Sequence, residues 1–160
     1  MAAHEQPACE VVMKAQINRL ESVKPLSGMV LEISYAGGQV VHVDFSALPD
    51  RFAVFADLRD PDFFGRAAVA DWGHTLEWPN GEGIDADRVM EMALEQAGRT
   101  DTLEFRRWQE RNRLSLNAAA EAIGLTRRTV SQYRTGARPV PRTVTLACKG
   151  WEAERHCDVA

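Results

Sequence analysis

No apolar stretch in this sequence approaches the roughly 18 residues that a bilayer-spanning helix needs, so no membrane segment is expected. Cysteine is scarce, and Cys9, Cys148 and Cys157 are odd in number and far apart. That pattern speaks against a disulfide framework or a metal knuckle and fits a reducing cytoplasm. The opening "MAAHEQPACEVVMKAQ" has no charged segment followed by an apolar core, so no secretion signal is expected. Residues 1–15 read instead as a flexible tail. Internal repeats and low-complexity tracts are absent as well.

What is present is a divided charge. The chain of 160 residues has an ordinary apolar content of 45% and a net charge of −4. Residues 1–98 hold 7 Lys+Arg against 16 Asp+Glu, a net of −9, while residues 99–160 hold 12 against 7, a net of +5. The second half has the charge sign of a polyanion binder; the first would repel a polyanion. Two domains with different tasks are therefore expected: 16–98 as an α+β domain for dimerisation or regulation, and 99–160 as an all-helical bundle.

In the first half, Ile17–Val23 and Met29–Tyr35 read as strands. The second alternates, with Leu31, Ile33 and Tyr35 on one face and Val30, Glu32 and Ser34 on the other. "AGGQ" at 36–39 is a tight turn, and Val40–Phe45 returns as the antiparallel partner, placing Val41, Val43 and Phe45 together. Shorter pieces follow, broken by Pro61 and Gly65. Ala70–Trp72 and Thr75–Trp78 read as a small strand pair about Gly73–His74, stopped by "WPNGEG". Asp85 then caps a helix to about Ala97 whose inner side carries Val89, Met90, Ala93, Leu94 and Ala97.

Gly98 marks the expected boundary. Asp101 and Glu104 have capping-box spacing before a helix Thr102–Arg111. Ser115 caps a second helix to about Ile123, Thr126 a third to about Thr135 ended by Gly136, and a fourth runs from about Thr143 to Glu154 with Val144, Ala147, Cys148 and Trp151 inward. Trp108 and Trp151 read as core. Between the second and third helices, small Ala120 permits a close crossing and Gly124 supplies a turn with positive φ. Val130 and Tyr133 point inward, so Arg127, Arg128, Ser131, Gln132 and Thr135 fall outward at about 100° per residue. This is the helix-turn-helix pattern. Two adjacent arginines at a helix start oppose the helix dipole, and their placement makes sense if an anion arrives. Arginine can grip guanine O6 and N7, and glutamine can do the same for adenine.

Over residues 102–154, "EFRRWQERNRLSLNAAAEAIGLTRRTVSQYRTGARPVPRTVTLA" resembles the phage-repressor and Cro (XRE-type) helix-turn-helix family. The resemblance implies base reading by Arg127, Arg128 and Gln132 and supporting contacts by Thr126, Ser131 and Arg134. Arg138 and Arg142 in the following connector are placed for phosphates. Leu116 departs from the family, many of whose members carry a phosphate-binding glutamine there. The first half, with "LRDP", "WPNG" and an acidic helix start, is similar to the bacterial family called domain of unknown function 2442. That likeness implies a small mixed α and β fold, often encoded beside small toxin-like proteins, and no established catalytic residues.

Other candidates reduce to structure. Asp57, Asp60 and Asp62 fit no metal loop and read as turn caps. His42 and His74 have no second ligand at suitable spacing. No nucleophile–base pair can be placed, since Cys9 lies in the tail and Cys148 faces the core. The expectation is thus a cytoplasmic, dimeric, sequence-specific regulator that binds double-stranded DNA, a repressor and not an enzyme, with no cofactor and no metal. The alternative is an antitoxin-like module whose first domain binds a partner protein, with or without autoregulation on DNA.

Overall fold

The protein is described from a computed structural model, and the residues described are 19–157. The expected tail at 1–15 and the first residues of the first expected strand lie outside that range. The fold is α+β, with antiparallel sheets followed by a helical region. The chain divides into two compact units, Met1–Gln96 and Ala97–Ala160.

In the first unit, β1 (Leu20–Pro25), β2 (Val30–Tyr35) and β3 (Val40–Asp44) form an antiparallel sheet in the order of the chain. The alternation in β2 is the cause: Leu31, Ile33 and Tyr35 are buried while their neighbours stay partly wet. Two short helices, α1 (Leu48–Arg51) and α2 (Pro61–Phe64), flank a 3-10 segment at Ala53–Arg59. Asp60 caps α2 by accepting from the Asp62 amide at 3.0 Å, which accounts for one of the three loop aspartates.

A second small sheet contains β4 (Ala68–Ala70), β5 (Thr75–Glu77) and β6 (Gly83–Asp85). Here the register differs from the sequence expectation. Trp72 is not in a strand, because Asp71, Trp72 and Gly73 all have positive φ (50°, 56° and 91°) and form the turn between β4 and β5. "WPNG" turns the chain without ending the sheet, and Asp85, expected as a helix cap, closes β6. Helix α3 (Ala86–Gln96) follows directly and packs against β3 of one sheet and β5 and β6 of the other.

Between these layers lies a compact aromatic core. Phe45, Phe55 and Phe64 surround Trp78 with ring centroids 5.9–6.3 Å from it, and the indole N–H donates to the Phe64 carbonyl at 3.2 Å. Tyr35 spans from β2 to the first turn of α3, donating to the Ala86 carbonyl at 2.9 Å. At the far end of α3 the Gln96 amide acts as a strand would: its oxygen accepts from Asp44 N at 2.8 Å and its nitrogen donates to Asp44 O at 2.7 Å. It thereby closes part of the open edge of β3.

The second unit contains α4 (Thr100–Arg111), α5 (Leu116–Ile123), α6 (Arg127–Thr135) and α7 (Arg142–Cys157). Its core joins Phe105, Trp108, Ala119, Ala120, Val130, Tyr133, Val140, Val144 and Cys148. Helix α4 begins earlier than the capping-box pattern implies. Arg99 occupies the cap position and Asp101 lies inside the first turn, its carboxylate turned to Arg99 and to the Val140 amide. Helix α7 is longer than expected, and Ala147 is exposed on its outer side. Among the described residues no helix is long and apolar enough to cross a membrane.

The β4–β5 turn offers a clean test of packing against backbone strain. Both Gly73 and Gly81 have positive φ, but an added Cβ at Gly73 would lie 2.6 Å from the Leu20 carbonyl, whereas at Gly81 it meets nothing within 4 Å. Gly81→Ala should cost only the left-handed strain, roughly 1 kcal/mol. Gly73→Ala should cost distinctly more, because β1 must move as well. Equal midpoints in urea melts of the two variants would show that the approach at Leu20 is not tight.

Candidate nucleic-acid interface

The candidate site is built on α5, α6 and the three residues between them. Ser115 Oγ accepts from the Ala118 amide at 3.1 Å and starts α5. Gly124 ends it with φ 70°, and the Leu125 amide returns to the Ala120 carbonyl at 2.8 Å. Thr126 Oγ1 accepts from Thr129 N at 3.2 Å and starts α6, and Gly136, with φ 77°, ends it. Every turn of chain in this region therefore has a local cause readable from residue type.

The two helices can approach because Ala119 and Ala120 are almost fully buried methyl groups beneath Val130 and Tyr133. Tyr133 stacks edge-on against Phe105 of α4 at 5.6 Å. With Val130 and Tyr133 inward, the opposite side of α6 must face out. Thr126, Arg127 and Arg128 are exposed there, with Ser131 and Gln132 half-buried one turn on. The arginine pair stands at the positive end of the helix dipole, and α6 has no acidic residue in its first turn.

The remaining arginines separate. Arg138 is exposed, stacks 5.8 Å over the Tyr133 ring, and its amide donates to the Gln132 carbonyl. Arg142 is exposed at the start of α7. Arg134 is placed differently from the others. Its side chain is only 12% exposed, and its guanidinium donates to Gln109 at 3.1 Å and reaches Glu110 at 3.4 Å. It ties α6 to α4 and is turned away from the outward face. Leu116 is partly buried and packs against the core as an apolar contact.

A buried polar device, with only a faint mark in the sequence, holds α6 in place. Thr102, Arg106 and Gln109 form a buried polar stripe along α4. Arg106, 1% exposed, donates to the Arg134 carbonyl at 3.2 Å, and Arg99 donates to the Gly136 carbonyl at 3.0 Å. Two guanidinium groups thus satisfy carbonyls at the negative end of α6. Asp101 completes the set by accepting from Val140 N at 2.8 Å, which pins the connector. The available signal was the spacing of polar residues at i, i+4 and i+7 beside Phe105 and Trp108.

A second tie joins α4 to α7. Arg111 grips Glu152 with both nitrogens at 2.9 and 3.0 Å, and Asn112 adds a 2.6 Å bond. Burial pushes the Glu152 carboxyl up, but Asn112 and Arg111 outweigh it and hold it below its ordinary value. Asp101 behaves alike, with burial opposed by Arg99 and the Val140 amide. Burial, with the Glu152 charge, raises the Cys148 thiol to about 12, so that thiol is a core group. Among the described residues no three His, Cys, Asp or Glu side chains gather as a cation site.

Residues 20–94 match the family described as "Protein of unknown function (DUF2442)". A larger part of the chain is similar to the crystal structure of "Putative DNA Binding Protein NE0471" from Nitrosomonas europaea, at 40% identity over 86% of this chain and 88% of that one, with a TM-score of 0.62. The chain belongs to the same family as that Nitrosomonas protein. No curated protein matches it.

Two measurements probe this region. Ala120→Leu should destabilise by about 1–3 kcal/mol through overpacking. Gly124→Val, where a Cβ meets no neighbour but φ is 70°, should cost about 1–2 kcal/mol from backbone strain alone. Unchanged thermal midpoints in both variants would refute the close crossing. Acid titration is the second probe. Because Glu152 and Asp101 titrate lower in the folded chain, their contribution is complete above the unfolded carboxylate range of about 4 and disappears as pH falls through the folded values. Glu152→Gln should therefore lower stability at pH 7 and flatten its acid dependence below about pH 5. Parallel pH–stability curves for variant and wild type would contradict this.

Proposed function

We propose that the helical unit is a helix-turn-helix module of the phage-repressor and Cro type. On this reading the protein is a cytoplasmic, sequence-specific DNA-binding repressor that acts as a dimer and performs no catalysis. The observation that carries the proposal is the exposed Arg127–Arg128 pair at the capped start of α6, on the face opposite Val130 and Tyr133. A related protein described as a putative DNA binding protein supports it.

The roles follow from placement. Arg127, Arg128 and Gln132 read base edges in the major groove, where an arginine fork suits guanine and a glutamine amide suits adenine. Thr126 and Ser131 flank them, and the N-terminal amides of α6 favour a phosphate. Arg138 and Arg142 take phosphates and set register without reading sequence. Arg134 acts from behind, through its ties to Gln109 and Glu110. One such helix spans too few base pairs for selectivity, so two copies would bind half-sites about 34 Å apart.

A second reading concerns the first unit. The net charge of −9 over residues 1–98 favours a protein partner over DNA for that half, as in an antitoxin-like module.

Affinities for specific and scrambled duplexes at several salt concentrations test the first reading. Arg127→Ala or Arg128→Ala should lose about 1–3 kcal/mol on the specific site and much less on random duplex. Arg138→Ala and Arg142→Ala should weaken both alike and reduce the salt slope. If Arg127→Ala, Arg128→Ala and Gln132→Ala all preserve the preference, the reading face is misassigned. Sedimentation of the DNA complex should show two chains per site; one chain at saturation would defeat the dimer.

A further inference from the structure

Trp72 stands out once the first unit is viewed as a surface. It is 85% exposed, more than any other exposed large hydrophobic side chain among the described residues. Its backbone is left-handed, at φ 56° and ψ 29°, and Asp71 before it is left-handed too. A bulky aromatic residue rarely occupies that region, where glycine or asparagine would sit without strain.

The strain is held by neighbours. Arg19 Nε donates to the Trp72 carbonyl at 2.9 Å, the His74 amide returns to the Asp71 carbonyl at 3.0 Å, and Gly73 fits beneath the Leu20 carbonyl with no room for a Cβ. The indole is thus presented on a fixed turn, yet its own side chain buries little. Strain retained at one position, with no packing gain there, points to a role in binding. Beside the turn, sharing Arg19, lies a groove of about 440 Å³ lined by Arg19, Leu20, Glu21, Ala36 and Gly37.

We propose that Trp72 is the anchor of a protein-docking surface on the first unit, and that its occupant is a basic polypeptide segment. The proposal rests on the second reading above and gives it a site. Charge selects the occupant. Residues 19–96 carry 6 Lys+Arg and 14 Asp+Glu, a net of −8, so duplex DNA and a second copy of this acidic unit are both repelled. Residues 1–18 of the chain itself, with Glu5, Glu10 and Lys14, are net acidic and gain nothing there. A Lys or Arg of the partner would lie over the indole face, with Asp71 preceding it in the chain and Glu21 lining the groove beside the turn. Tryptophan is favoured at the centre of such contacts.

The experiment pans a phage-displayed random dodecapeptide library on the full chain and measures the selected peptides against wild type, Trp72→Ala and Trp72→Gly. Expected are Lys/Arg-containing families whose affinity falls at least about tenfold in both variants. Trp72→Gly should melt no lower than wild type, because glycine relieves the left-handed strain and little packing is lost. Its DNA affinity should be unchanged. A lowered melt for Trp72→Gly would make the residue structural and overturn the proposal. So would the absence of any enriched family, or selected peptides without basic residues. Basic peptides that bind wild type and Trp72→Gly equally would spare the partner-binding reading but remove Trp72 as its anchor. A wild-type dimer that Trp72→Gly abolishes in sedimentation, or selection that appears only after residues 1–18 are deleted, would assign the surface to a second copy or to the chain's own tail.

Discussion

The closeness of α5 and α6 governs the helical unit. Ala119 and Ala120 present methyl groups where larger side chains would hold the helices apart, and Val130 and Tyr133 fill the space above them. Once those two residues are committed inward, helical periodicity leaves Arg127 and Arg128 outside. The exposure of the arginine pair is therefore a packing consequence. It does not depend on the arginines finding partners of their own.

Orientation comes from a different kind of force. Apolar contacts set how near α6 lies, but they are tolerant of sliding. The guanidinium groups of Arg99 and Arg106 are directional, and both end on carbonyls at the C-terminus of α6. Arg134 reaches back to α4 from the same turn. Such directional bonds, partly shielded from water, fix one position along the helix axis. The first unit solves a similar problem with aromatic geometry, where edge-on rings about Trp78 and one indole hydrogen bond join the strands to the short helices.

Legibility varied with the range of the controlling interaction. The caps at Ser115 and Thr126 and the glycine stops at 124 and 136 act within one turn of chain, and each has its expected geometry. The alternation in β2 was equally local. The capping box at Asp101 failed because a distant amide, that of Val140, competed for the same carboxylate. Trp72 failed as a strand residue because the close approach of Gly73 to Leu20 sets the turn, and that contact joins segments far apart in sequence. Strand β6 was hidden inside a glycine-rich stretch whose composition reads as loop.

The sequence by itself determined the α+β class, the caps and turns, the charge division and which side of α6 faces outward, because each follows from residue type at fixed local spacing. Only the tertiary structure decided that Arg134 is held within the unit while its neighbours in sequence are exposed, that a buried polar stripe on α4 anchors α6, and that Trp72 is lifted into solvent on a strained turn. Those outcomes depend on which distant groups arrive within hydrogen-bonding or van der Waals distance. Periodicity can hint at the stripe on α4, but not at which distant groups come to meet it.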